Sequence, residues 1–144
     1  MPEPITIDGK YLIGHKEKVE FPDFKRRNIV ARVDSGALST SVHCDRIWVE
    51  TLKGKKVLCC HLLKRSRKVT RFSHFSRKRI KSSNGSLQMR YVVNIRIRLG
   101  EVEKVTPVSL SDRSTMNHSV LLGRRFLRQH FVIDVSKKYL LSSS

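Results

Sequence analysis

Across residues 91–99 the chain alternates, with Tyr91, Val93, Ile95, Ile97 and Leu99 on one side and Asn94, Arg96 and Arg98 on the other. A period of two is what a half-buried β-strand requires, and helical spacing does not gather these five apolar residues on one face. Shorter strand candidates follow at 11–20, 28–33, 39–43, 47–51, 57–63, 105–110, 131–135 and 139–141, most of them bounded by Gly, Pro, Asp or Asn. Many short strands separated by turn signals predict an all-β chain, folded as a small barrel or sandwich. With 144 residues there is enough chain for one compact domain and too little for two ordinary ones, so residues 1–144 are read as one domain.

The charge is regional. Thirty Lys and Arg against twelve Asp and Glu give a formal net charge of +18. Residues 51–100 hold fifteen of the basic residues and no acidic one. The densest stretch, read as a basic loop at about 64–81, contains Lys64-Arg65-Ser66-Arg67-Lys68 and Arg77-Lys78-Arg79-Ile80-Lys81, with Phe72, His74 and Phe75 between them. Basic clusters with interleaved aromatics can follow a phosphate backbone and stack bases. A positive rim beside a cleft also concentrates an acidic peptide, and a solvated loop is the plain alternative to both.

No run approaches the roughly 20 apolar residues of a membrane helix, and the N-terminus lacks the pattern of a secretory signal, so a cytoplasmic location is expected. Cys44, Cys59 and Cys60 suggest free thiols rather than a disulfide framework. Asn84-Gly85 is the strongest hairpin signal, because both central positions of a type I′ turn need positive φ. The residues flanking it, 81–83 and 86–88, are largely polar, which predicts a hairpin that projects from the body and could close over a cleft.

Two short motifs carry chemistry. Ile29-Val30-Ala31-Arg32-Val33 runs into Asp34-Ser35-Gly36-Ala37, placing a carboxylate at the end of a buried strand in a tight turn. Near the C-terminus stands Val120-Leu121-Leu122-Gly123-Arg124-Arg125-Phe126-Leu127. Together they resemble the retropepsin family of aspartic proteases, in which an apolar strand opens into Asp-Ser/Thr-Gly-Ala and a later apolar pair with Gly-Arg leads into a short helix. Asn84-Gly85 falls where that family carries its flap. The resemblance is closer to a bacterial retropepsin-like branch whose members often carry the name ATP-dependent zinc protease. It extends through Ile13-Gly14, Ser39, Ser41, His43, Ser82-Ser83-Asn84-Gly85, Arg90, Asp112-Arg113-Ser114, Met116, Val132-Ile133-Asp134 and Tyr139-Leu140-Leu141.

The resemblance implies a small closed retropepsin-like barrel with a flap hairpin and a short C-terminal helix. It also implies catalytic roles for Asp34, Ser35 and Gly36: Asp34 holds the attacking water, the Ser35 hydroxyl links two catalytic loops, and Gly36 permits their close approach. Substrate contacts are expected from Ala37, Asn84, Gly85, Arg90, Arg113, Leu121 and Leu122. Leu121, Leu122 and Gly123 are expected to pack beneath the site. In retroviral relatives the Arg after the second motif pairs with an Asp beyond the catalytic turn. Here the corresponding residues are Leu38-Ser39-Thr40, so the resemblance supplies no partner for Arg124.

Aspartic hydrolysis needs two carboxylates about 3 Å apart sharing one proton and one water. This chain has one Asp-Ser-Gly turn. Asp134 is followed by Val-Ser, and Asp112 precedes Arg113, which is expected to pair with it or with a backbone group. A homodimer that brings two copies of Asp34 together across a two-fold axis is therefore expected. Neither zinc nor ATP is expected as a cofactor: there is no His-Glu-x-x-His, no Cys/His cluster with metal spacing and no phosphate-binding loop. His15, His43, His61, His74, His118 and His130 are dispersed and read as structural or surface residues, His43 and His118 least firmly because they adjoin the motifs.

The family resemblance further implies a functional link to ATP-grasp glutamate ligases, and hence action on glutamate-rich or polyglutamylated tails, with Arg90 and Arg113 as carboxylate contacts. Two rival readings remain at this point. One is a noncatalytic basic β-barrel module that binds nucleic acid, such as ribosomal RNA, through residues 64–81. The other is a retropepsin-like adaptor without activity.

Overall fold

The computed structural model describes residues 3–81 and 84–141. The strands in chain order are β1 (Thr6–Ile7), β2 (Lys10–Ile13), β3 (Lys16–Phe21), β4 (Arg26–Val33), β5 (Thr40–Leu52), β6 (Lys55–Leu62), β7 (Thr70–Phe72), β8 (Ser76–Lys81), β9 (Leu87–Leu99), β10 (Val102–Ser111), β11 (Val120–Leu122) and β12 (Phe131–Ile133). A four-residue helix, α1 (Arg124–Leu127), follows β11. Six strands close on themselves in the order β10-β9-β3-β4-β11-β5, and β5 completes the ring by running parallel to β10 from Thr40↔Val108 to His43↔Ser111. Closure removes the open sheet edge that an isolated antiparallel sheet would expose.

The alternation that predicted β9 fills this ring. Val93, Ile95, Ile97 and Leu99 are buried, joined by Val19 and Phe21 of β3, Ala31 and Val33 of β4, Val42 of β5, Val108 and Leu110 of β10, and Val120 and Leu122 of β11. Burying such a side chain contributes about 1.5–3 kcal/mol. The result is an all-β fold, a small closed barrel with one short helix. Phe126 of α1 stacks on Phe131 at 5.8 Å and covers one side of the core. Among the described residues, no helix is long and apolar enough to cross a membrane.

Several expected elements differ from those observed. Residues 11–20 form two strands in different sheets, because Gly14 packs so closely against the Lys137 carbonyl that a Cβ has no room. The candidates at 39–43 and 47–51 are one continuous strand, β5, with one extra residue bulged out between the pairs Cys44↔Leu62 and Ile47↔Cys60. Half of the stretch expected as a basic loop is strand: β7 pairs with β6, and β8 pairs with β9, while residues 64–69 remain outside the strands. The last pair of the hairpin, Lys81↔Leu87, encloses an odd number of residues. A two-residue turn at Asn84-Gly85 requires an even number, so the connection is longer than the expected type I′ turn. Gly85 nonetheless has φ of 87°. Ser82 and Ser83, part of the expected flap, lie outside the described residues.

Residues 139–141 are not a strand. Their backbone is held by a buried carboxylate: Glu17, fully buried on β3, accepts the N–H groups of Gly14 at 2.9 Å, Leu140 at 2.8 Å and Leu141 at 3.1 Å. One side chain thus ties the chain crossing at Gly14 to the C-terminal segment. Glu17→Gln replaces one acceptor oxygen by a donor facing those N–H groups and should cost about 2 kcal/mol. Urea unfolding of the two proteins checks this, and an unchanged midpoint would show that the clamp adds nothing.

Candidate active site

Asp34 follows directly on β4 and sits where three strands meet. β11 lies between β4 and β5, parallel to β4 through Leu122↔Val33 and antiparallel to β5 through Leu121↔Ser41. The turn from 34 to 39 therefore passes over the end of β11, and backbone bonds stitch the two motifs together. The Asp34 N–H donates to the Leu122 carbonyl at 3.0 Å, the Arg124 N–H to the Ala37 carbonyl at 2.8 Å and the Arg125 N–H to the Leu38 carbonyl at 3.0 Å. The buried Thr40 hydroxyl accepts from Gly123 N at 3.2 Å.

Within the turn, Gly36 N donates to Asp34 Oδ1 at 2.9 Å. A Cβ on Gly36 would stand 3.1 Å from that same oxygen, so glycine leaves the carboxylate its space. Arg124 has a partner that the sequence did not supply. Its Nη1 donates to the Ser35 carbonyl at 2.9 Å, a main-chain acceptor within the Asp34 turn. Asp34 is partly exposed and Ser35 and Gly36 are exposed, so the turn presents its carboxylate outward. Leu122 is fully buried beneath it, Leu121 and Ala37 are half-buried, and Leu38 is exposed.

Arg113 carries a charge that feels Asp34 directly; burial holds its guanidinium below the ordinary value, with Arg90 and Arg32 adding to that and Asp34 opposing it. An arginine still remains charged at neutral pH. Burial likewise lowers Arg90, whose Nη2 donates to Gln88 Oε1 at 3.1 Å while its buried Nε finds no acceptor among the described residues. His118 is pushed down by burial first, then by Lys16, Arg32, Arg113 and His15. The Arg113 Nε donates to the His118 carbonyl at 3.1 Å. Of the two partners expected for Arg113, Asp112 or a backbone group, the structure shows the backbone one, the His118 carbonyl, and Asp112 is held elsewhere. Its carboxylate is held below the usual range by bonds from Ser114, whose N–H lies 2.9 Å from Oδ1.

Arg113 is thus within electrostatic range of Asp34, and Arg90 within range of Arg113. Asn84 and Gly85 sit at the exposed tip of the β8–β9 hairpin, where Asn84 Oδ1 accepts from Ser86 N at 3.1 Å and Ser86 Oγ at 2.7 Å, an arrangement that closes the turn locally. Sequence reasoning missed Arg32 and Lys16, which pair across β3 and β4. The signal was present: strand periodicity places Arg32 opposite to the inward Ala31 and Val33. Among the described residues, no three His, Cys, Asp or Glu side chains converge as a group that could hold a metal ion. The three cysteines are free and buried.

Comparison with known proteins fits this geometry. A crystal structure of a Legionella pneumophila protein of unknown function (DUF785) superposes with a TM-score of 0.72 at 24% identity, covering 89% of this chain and 95% of that one. That likeness concerns the fold. Proteins named probable alpha-L-glutamate ligase from Shewanella halifaxensis and Desulfotalea psychrophila are 33% and 31% identical over 139 and 131 residues. Those matches take in 93% and 88% of this chain but only 30% and 28% of the ligases, so the chain spans less than a third of the relatives' length. Residues 12–143 match the RimB-like family, described as retropepsin-like aspartic endopeptidase RimB. A closed barrel, an Asp-Ser-Gly-Ala turn locked to a Leu-Leu-Gly-Arg strand and a match across nearly the whole sequence agree, and the chain belongs to the RimB-like family of retropepsin-like aspartic endopeptidases.

Proposed function

We propose that this protein is an aspartic peptidase whose catalytic dyad is formed by the Asp34 residues of two copies meeting across a two-fold axis. The observation that carries this reading is the Asp34 carboxylate, which accepts from Gly36 N in a turn whose main chain is anchored by the Asp34 N–H to the Leu122 carbonyl. Two such carboxylates share one proton and hold a water between them. One Asp takes the water's proton as its oxygen attacks the peptide carbonyl, and the other donates to the carbonyl oxygen. The titration belongs to the pair rather than to either residue. The Ser35 hydroxyl would join the two turns, and Leu38, exposed beside the turn, would be covered in the dimer.

The substrate proposed is a glutamate-rich or polyglutamylated segment. Arg113 lies within electrostatic range of Asp34 and Arg90 within range of Arg113, and a carboxylate can accept two parallel bonds from such a guanidinium. The names of the glutamate ligases that share this sequence support a working link to an ATP-grasp glutamate ligase, whose products such a peptidase would trim. Hydrolysis of an oligoglutamate-tailed peptide beside a neutral one tests the assignment. Arg113→Ala should raise KM for the acidic peptide by about tenfold and leave the neutral one unchanged. Equal effects on both peptides would remove Arg113 from substrate recognition.

The nucleic-acid reading loses one of its supports. Phe72 packs edge-on against Phe24 at 5.8 Å and Phe75 against Tyr91 at 6.0 Å, so the aromatics between the basic clusters are engaged with the body. Salt-dependent RNA binding by the Asp34→Asn protein, without peptide cleavage by the wild type, would restore that reading.

A further inference from the structure

One buried side chain has no place in the chemistry above. His43 lies on β5 with 0% of its surface exposed, yet both ring nitrogens are bonded. Nδ1 accepts the backbone N–H of Arg113 at 2.7 Å, and Nε2 meets Asp45 Oδ1 at 2.6 Å. A backbone amide can only donate, so Nδ1 is unprotonated and the proton of the neutral ring sits on Nε2, directed at Asp45. That bond holds the exposed Asp45 carboxylate below its usual range. The other Asp45 oxygen accepts the backbone N–H of Arg65 at 2.9 Å.

The position of this ring matters. The parallel ladder between β5 and β10 ends at the pair Ser111↔His43. Arg113 N is two residues beyond, where no strand partner remains, and the imidazole takes the place of one. Burying a polar ring is costly unless its nitrogens are satisfied. Here the bonds fix the main chain of Arg113, whose side chain is held by the His118 carbonyl at 3.1 Å within electrostatic range of Asp34. Through Asp45, the same ring is joined to the first residues of the basic segment.

We infer that His43, oriented by Asp45, is a positioning residue that fixes the main chain at Arg113 so that its guanidinium can receive a substrate carboxylate. The inference rests on the peptidase reading for its consequence and on the hydrogen bonds alone for its geometry.

Two substitutions divide the ring's functions. His43→Asn keeps an acceptor near Nδ1 and loses the reach to Asp45. His43→Gln places an amide near Nε2 and leaves the Arg113 N–H without an acceptor. For an oligoglutamate peptide, His43→Gln should raise KM roughly tenfold with kcat within about twofold, and His43→Asn should raise KM only about threefold. A role in core packing alone would move the two variants together, so equal KM values for them overturn the inference. Imidazole ¹⁵N spectra of the wild type should show an unprotonated Nδ1 and a protonated Nε2, and the opposite tautomer overturns it as well. If the wild type cleaves neither peptide, the peptidase reading fails on its own. Oligoglutamate binding to Asp34→Asn, with and without His43→Gln, then reads His43 directly: a roughly tenfold weaker Kd supports it and an unchanged Kd overturns it.

Discussion

Asp34→Asn should leave the barrel folded while lowering kcat on the order of 10³-fold, the scale on which a positioned acid or base acts. The amide keeps an oxygen that can accept from Gly36 N, now 2.9 Å from Oδ1, and the side chain is partly exposed, so the cost to stability should stay below about 1 kcal/mol. What the substitution removes is the shared proton of the proposed dyad, because an amide neither takes a proton from water nor gives one to a carbonyl. Thermal unfolding measured beside the peptide assay separates the two effects. Unfolding of the variant would make Asp34 a structural residue, and full activity would remove it from the chemistry.

A large effect on stability is expected at Gly123, beneath the Asp34 turn. A Cβ there would stand 2.5 Å from the Ser39 carbonyl carbon and oxygen and 2.9 Å from its nitrogen. All three are backbone atoms, and they cannot swing aside as a side chain would. Ser39 is held from both sides, since Arg125 N bonds the Leu38 carbonyl and Thr40 begins β5. Gly123→Ala should therefore cost about 3 kcal/mol, or a fall of roughly 10 °C in Tm for a chain of this size. Activity should fall with it, because Leu122, whose carbonyl holds Asp34 N, is the next residue. Gly54→Ala is the control: Gly54 has φ of 77° with nothing within 4 Å of the added carbon, so only about 1 kcal/mol of backbone strain is expected. Equal losses at the two positions would show that the crossing at Gly123 is looser than its geometry implies.

Periodicity was sufficient for the barrel wherever one face is buried and one solvated. β9 is the clearest instance, since its inward residues from Val93 to Leu99 are those that the alternation selects. It failed where tertiary packing overrides local pattern. Residues 11–20 look like one strand until the Lys137 carbonyl is brought against Gly14, and residues 139–141 look like a strand until Glu17 takes their N–H groups. Neither contact has a local signature, because each joins residues more than a hundred positions apart.

The site was legible in its chemistry and less so in its supports. Asp34, Arg90 and Arg113 could be named from motif and charge, whereas the Arg124 bond to the Ser35 carbonyl is to main chain and carries no side-chain code. The His43 pairing with Arg113 N was hidden for the same reason. Basic residues 64–81 suggested an open loop because their charge masked the strand pairing of β8 with β9. Charge reports which partners a surface attracts and says little about its backbone.

The central claim is that one active site is built from two chains, and mixing tests it most directly. Wild-type protein and Asp34→Asn protein, exchanged to equilibrium at fixed total concentration, form dimers in binomial proportions. If each site needs both Asp34 carboxylates, activity follows the square of the wild-type fraction, and an equal mixture retains about a quarter of the wild-type rate. An equal mixture that retains about half the rate would mean that each chain works alone. That result would contradict the shared dyad.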